Sequence, residues 1–263
     1  MINDIVYLYL ISPLHTGGTT QEGNLLGIAR ESHTNLPYIP SSTIRGRLRA
    51  NVASEVRSQL FGTDLKETQQ LEQGDIWIGD GSILWLPVPS LSHGVVWISC
   101  PMLLQRWTRF NPGVTKIPAE YSSNLANANR VYLKDAILDK LQPWQDWKSF
   151  LPQVTETSNI KQVIVLPDRH FATLTQMSLW RQVKVKLDEH KSVEGGFRYE
   201  EAIPPDTLMY FPWGTTSQAN GTAKQSHANF ENLLDSNSIL QIGGQESLGR
   251  GFVQQWHSAK QGV

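Results

Sequence analysis

The residue types with the most chemistry in this 263-residue chain lie between positions 15 and 49. His15 is followed by Gly17 and Gly18, then by the pair Arg30 and Glu31, then by Pro37 and Pro40. Ser41, Ser42 and Thr43 open a helical pattern that carries Arg45, Arg47 and Arg49. Hydroxyls and free backbone N–H groups at a helix start, with arginines in the first turns, are a place to hold phosphate. Near the other end, Gly243, Gly244, Gly249 and Gly251 form a second glycine-rich segment with Arg250 inside it. Glycine lets a backbone approach an anion closely. Two such segments in one chain point to a protein that grips a polyanionic backbone.

Each candidate has a plainer alternative. On a helix Arg45 and Arg49 share a row while Arg47 points roughly the other way, so a solvated helix face is the competing reading. Ser41, Ser42 and Thr43 can cap the helix and still leave N–H groups directed outward. Lys184 and Lys186 alternate with Val183, Val185 and Leu187, which makes a half-exposed strand with a lysine row on its wet side. His15 is an acid–base candidate or a loop histidine that bonds backbone. No partner can be placed beside it from sequence, and geometry comes before pKa. The other histidines lack metal-ligand spacing.

These side chains need a scaffold, and the composition supplies one. Hydrophobic residues make up 40% and charged residues 18%, as in a globular domain with a real core. The formal net charge is −1, so any anion-binding surface is a local patch balanced by acid elsewhere. Cys100 stands alone, which rules out an internal disulfide and favours a reducing, cytoplasmic setting. No apolar run reaches the roughly 18 residues that span a bilayer, so no membrane partner is expected.

The patterning predicts a strand over 5–11 and loop over 13–40. A four-residue repeat of Ile44, Leu48, Val52, Val56 and Leu60 predicts one helix ending near Gly62, with Ser41 or Ser42 as N-cap. A hairpin is expected over 75–86, turning at Gly79, Asp80 and Gly81. A strand at 94–99 and a helix at 101–110 follow. Residues 111–157 turn polar and read as a surface insertion with two short helical pieces at most. Strands are then expected at 163–166, in a hairpin across 182–200, at 207–211, 239–242 and 252–256, with a helix near 226–234. The class is α+β in a single domain over 1–263.

The order His15, Gly17, Gly18, then Arg30-Glu31, then Pro40-Ser41-Ser42-Thr43-Ile44-Arg45-Gly46-Arg47, resembles the RAMP superfamily of CRISPR–Cas proteins. Glu200-Glu201-Ala202-Ile203-Pro204 and the segment from Ile242 through Gly251 continue the resemblance over most of the chain. The likeness is to backbone subunits of type III effector complexes, the Csm and Cmr kind. It implies a modified ferredoxin-like (RRM-like) palm with inserted finger and thumb elements, the thumb falling near 180–199. It also implies guide RNA, target RNA and other effector subunits as partners. The expected RNA-binding residues are His15, Gly17, Gly18, Ser41, Ser42, Thr43, Arg45, Arg47, Arg49, Lys184, Lys186, Gly243, Gly244, Gly249 and Arg250.

Members of that family cut target RNA with a loop aspartate and a divalent metal, in the pattern Asp-x-Pro-(Val/Ile)-x-Arg-(Asp/Glu). Counting back from Arg30-Glu31, the aspartate position holds Leu25 and the proline position holds Gly27. Leucine binds no metal and moves no proton. The expectation is therefore a scaffold that binds guide RNA and positions target RNA in antiviral defence, with no cofactor. The alternative is a metal-dependent endoribonuclease that uses Glu22 or Asn24 as a displaced equivalent of the family aspartate, with Mg2+ or another divalent ion. A third reading is metal-independent processing of precursor guide RNA through His15.

Overall fold

The computed structural model describes residues 3–22, 25–63, 72–125, 130–152, 154–217 and 219–257, with backbone alone at 3 and 19–22. The elements in order are β1 (Asn3–Leu10), β2 (Gly17–Glu22), β3 (Leu25–Ile28), α1 (Ser41–Asn51), α2 (Ser54–Phe61), β4 (Ile76–Ile78) and β5 (Ser82–Ser90). There follow β6 (Gly94–Ser99), α3 (Pro101–Thr108), β7 (Ser122–Ser123), β8 (Arg130–Leu133), β9 (Ala136–Asp139), β10 (Gln142–Pro143), β11 (Val163–Val165) and α4 (Asp168–Ser178). The chain closes with β12 (Trp180–Leu187), β13 (Val193–Ala202), β14 (Leu208–Thr215), α5 (Ala223–Asp235), β15 (Ile239–Gln241) and β16 (Phe252–His257). Two short 3-10 turns, Asp146–Phe150 and Thr155–Thr157, are the helical pieces of the 111–157 segment.

The fold is mixed α and β. A large mixed sheet runs β10-β7-β11-β6-β5-β14-β1-β16-β15, and a smaller sheet runs β12-β13-β3-β2. β1 lies inside the large sheet, antiparallel to both β14 and β16. Its Val6, Leu8 and Leu10 enter one core, and Ile5, Tyr7 and Tyr9 enter the other. Both faces are dry, so the strand reads as a nearly continuous apolar run rather than an alternation. The first core takes residues from α1, α2 and α5; the second takes Leu104 and Trp107 of α3 with Phe150, Leu151 and Ile160.

Several expectations change. The four-residue repeat does not make one helix. Four residues turn about 400°, so each step drifts about 40° and a straight helix cannot keep five such positions on one face. The chain breaks at Val52 and Ala53, both with extended ψ of 145°, and α2 restarts at Ser54. No serine caps α1: Pro40 holds the N-cap position without a side-chain bond, and Asp80 Oδ1 accepts the Ser41 N–H at 2.7 Å.

Residues 75–86 are not a hairpin. β4 and β5 both pair with β14, at Ile78↔Trp213 and Ser82↔Tyr210, so they follow one another along the same neighbour. Gly79 and Gly81 serve close packing: a Cβ at Gly79 would stand 2.8 Å from the Pro212 ring, and one at Gly81 3.0 Å from Ile39 Cβ. The 13–40 stretch contains the β2–β3 hairpin. Its glycines and threonines show no alternation, and β3 is held by parallel pairing to β13 (Leu25↔Tyr199). α4 has no counterpart in the expected pattern; it buries Phe171, Leu174 and Thr175. The 111–157 segment is not only surface, because Val131, Leu133, Leu141, Phe150 and Leu151 are buried in the cores.

β12 and β13 form a long two-stranded ribbon, as the alternation predicts. Its register slips between Val185 and Lys186, where Gly195 and Gly196 take φ of +85° and +91°. The slip admits two extra residues on β13, so side chains keep their faces. Val183, Val185, Leu187, Val193, Phe197 and Tyr199 all lie on one side of the ribbon, each more than 40% exposed. The slip also sets Arg181 directly across from Glu201 at the ribbon's base.

Candidate functional site

The ribbon's base, the β2–β3 hairpin and the 29–40 loop enclose an open cleft of about 630 Å³. Its glycine wall is Gly17, Gly18 and Gly27. A Cβ at Gly18 would meet Ile28 O at 2.9 Å, whereas Gly17 faces open space. Its floor is Glu201, only 2% exposed along its side chain. One Glu201 oxygen accepts Arg30 at 2.8 Å, and the other accepts Arg181 at 3.0 Å. Arg30 also donates to Gln176 Oε1 on α4. Two guanidinium groups on one carboxylate leave a surplus positive charge, and Arg181 is 55% exposed toward the cleft.

Glu31 is held from the opposite side. Arg106 of α3 grips both of its oxygens, at 2.5 and 3.2 Å, and Thr34 Oγ1 donates at 2.6 Å. Burial alone would raise this carboxyl's pKa, but the Arg106 and Thr34 bonds outweigh it and hold the pKa below its ordinary 4.5. The two glutamates of the cleft are therefore engaged by arginines. Leu25 lines the same wall. A hard cation such as Mg2+ wants several free oxygen ligands, and the described residues of the cleft do not fit one. Asn24 lies outside the described residues, and Glu22 is described by its backbone alone, which pairs with Leu25.

The two glycine segments meet, although more than two hundred residues separate them. His15 joins them. Its ring is 5% exposed, and because a carbonyl only accepts, Nδ1–H donates to Glu201 O at 2.8 Å. Its own carbonyl accepts the Gly244 N–H at 3.0 Å. A Cβ at Gly243 would stand 2.4 Å from that carbonyl, and Gly243 has φ +83°. Gly251 N–H bonds Pro13 O at 3.0 Å. Arg250, 7% exposed, lies over the Trp180 ring at 3.7 Å and donates to Gln182 Oε1 at 2.6 Å. His15 and Arg250 thus fasten the ribbon's base to both glycine loops.

The remaining candidates lie apart from this junction. Arg45 donates to Phe61 O at 2.5 Å and to Ile76 O at 3.2 Å, and Arg49 donates to Phe61 O at 3.2 Å. Phe61 ends α2, so both arginines satisfy carbonyls at a helix C-terminus, where a cation is favourable. Arg47 has a buried Nε without a partner. Ser42 is exposed and Thr43 half-buried on the first turn of α1. Lys184 pairs with Glu200 at 2.7 Å and Lys186 with Glu194 at 2.8 Å, on the polar side of the ribbon.

Sequence reasoning passed over Arg181 and Gln176. Arg181 belongs to the same odd-numbered row as Val183 and Val185, which hides it among apolar positions. Only the glycine-dependent slip in register brings it opposite Glu201.

Comparison with known proteins agrees with this architecture. A family model described as the RAMP superfamily matches residues 7–254. The chain is 31% identical to the CRISPR system Cmr endoribonuclease Cmr4 of Pyrococcus furiosus, over 95% of this chain and 94% of that protein. Among solved structures, a crystal structure of Cmr4 superposes with TM-score 0.73 at 27% identity, covering 98% of this chain and 99% of the other. A chain of the type III-B Cmr-beta complex bound to cognate target RNA gives TM-score 0.76 at 19% identity, covering 98% and 97%, and shares the fold.

Proposed function

The chain belongs to the RAMP superfamily, and we propose that it is a guide-RNA-binding backbone subunit of a type III CRISPR effector complex that positions target RNA. The relative of similar length named as the CRISPR system Cmr endoribonuclease Cmr4, with the shared fold of a chain in the Cmr-beta complex bound to target RNA, supports this reading. The observation that carries the binding chemistry is the cleft floor, where Arg30 and Arg181 share the single carboxylate of Glu201. The surplus charge faces a glycine wall and attracts a phosphate. Gly17, Gly18 and Arg181 are the contacts we assign first, with Ser42, Thr43 and Lys184 at the margin. His15, Gly243, Gly244, Gly249 and Arg250 shape the junction. We read β1 with its neighbours and α1 as the modified ferredoxin-like palm, and β12–β13 as the thumb. The cytoplasm is the setting we infer for such a complex.

Phosphate contacts give affinity without sequence preference, and they weaken with salt. Arg181→Ala is therefore expected to weaken binding of two unrelated single-stranded RNAs about equally. It should lower the slope of log affinity against log salt by roughly 0.7. A loss confined to one sequence, or an unchanged slope, would remove Arg181 from the interface.

The second reading is slicing, favoured by the word endoribonuclease in the relative's name. Leu25 at the family's acid position argues against it in this chain. Target cleavage by the reconstituted complex with Mg2+ separates the two readings. We expect the Glu22→Ala, Asn24→Ala double variant to leave every cut in place. Disappearance of one cut with RNA binding retained would make this subunit a nuclease. Processing through His15 finds no support in its burial and its bond to Glu201 O.

A further inference from the structure

Away from the cleft, on the face of the large sheet covered by α5, a histidine lies between two carboxylates. Asp4 on β1 is directly opposite Trp213 on β14. The His227 ring from α5 lies nearly flat on Trp213, with centroids 4.6 Å apart and planes 29° apart, and is 4% exposed. Nε2 stands 2.6 Å from Asp4 Oδ2. Glu231, one turn along the same helix, brings Oε2 to 3.2 Å from Nδ1. We propose that His227 and Glu231, with Asp4 behind the imidazole, form a structural site for a divalent transition metal of the zinc type.

A neutral imidazole has one N–H and one lone pair. With Nε2–H donated to Asp4, the Nδ1 lone pair faces a carboxylate oxygen. Two electron-rich atoms so placed attract a cation between them. A spacing of 3.2 Å is close to that of two ligands each about 2.0–2.1 Å from one ion. Asp4 does what carboxylates do behind metal-bound histidines: it fixes the tautomer and makes the ring a better donor. One donor atom from each of the three residues lies within 4.8 Å of the others. Imidazole with carboxylate suits zinc, cobalt or nickel, while magnesium prefers oxygen alone. Water completes the coordination; the ion ties His227 to Glu231 across one turn of α5, while Asp4 holds the imidazole to β1. The nearby pair His257 and Asp235, 2.9 Å apart, has a single carboxylate and provides a control.

The test uses the full chain stripped with a chelator and titrated with zinc chloride by calorimetry. We expect about one equivalent of zinc bound, none of magnesium, and a melting temperature that rises with free zinc. Glu231→Gln should weaken zinc binding at least ten-fold, Asp4→Asn about ten-fold or more, and His257→Ala not at all. In the unmutated chain the His227 ring nitrogen resonances should shift on adding zinc, which reads the site without a variant. The proposal is overturned if zinc leaves those resonances unmoved, or if Glu231→Gln binds zinc as well as the parent. It is equally overturned if zinc leaves the melting temperature unchanged.

Discussion

Glu31 and Arg106 tie the 29–40 loop to α3, and the pair makes a pH-dependent prediction. The folded pKa of Glu31 lies below its ordinary value of 4.5. A depressed folded pKa contributes stability above the unfolded pKa, and that contribution is lost as pH falls through the folded one. The melting-temperature difference between the parent and Glu31→Gln should therefore be largest near neutrality and shrink as pH falls below about 4.5. A difference that grows toward acid would show that Arg106 does not hold a carboxylate there. Cys100 makes a second prediction at this scale. Burial, foremost, pushes its thiol up to about 12, so iodoacetamide at pH 8 should leave it unlabelled until the chain is unfolded. Labelling of the native chain would mean that the α3 start opens.

At the scale of elements, the arginines of α1 divide their labour. Arg45 closes the C-terminus of α2 through Phe61 O, while the buried Arg47 Nε has no partner among the described residues. Arg45→Ala should lower stability by about 1.5–3 kcal/mol, the range for hydrogen bonds to a charged group. Arg47→Ala should cost less, and thermal denaturation of the two variants decides it. If Arg47 costs more, the cap is not what holds α2. The sequence announced the row of Arg45 and Arg49 but not its target, because α2 was hidden in an apparent single helix. What was legible follows one rule. The Val183, Val185 and Leu187 alternation declared the ribbon because one of its faces is wet. The apolar run of β1 declared a strand because nothing polar interrupts it. What was illegible depended on distant pairing, the β2–β3 hairpin on β13 and the successive β4 and β5 on β14, or, for the nearby Arg181–Glu201 contact, on a slip in register at Gly195 and Gly196. Local patterning carries no record of a partner that arrives over a hundred residues later.

Across the whole molecule, near-neutral charge coexists with a local positive floor. The ribbon carries an exposed apolar face beside paired lysines, so most of its area is not suited to phosphate. Removing the distal ribbon over 184–198 should leave the two cores standing, since its buried residues begin at Glu200. Deleting 252–257 should not be tolerated, because β16 supplies one of the two neighbours of β1. Soluble yield and the cooperativity of urea unfolding distinguish the two truncations; equal yields would contradict the division. Among the described residues no helix is long and apolar enough to cross a membrane.

The position of β1 also sets a timetable for biogenesis. Among the described residues β1 pairs with 208–214 and 253–257, which are synthesised about two hundred residues or more after it. For most of synthesis it waits with both edges and both apolar faces bare, the condition under which nascent chains aggregate. Closing so long a loop slows folding, so the arrival of β16 decides when the large sheet can close around β1. A translational pause between β14 and β16 should therefore harm this chain more than the same pause between β8 and β9.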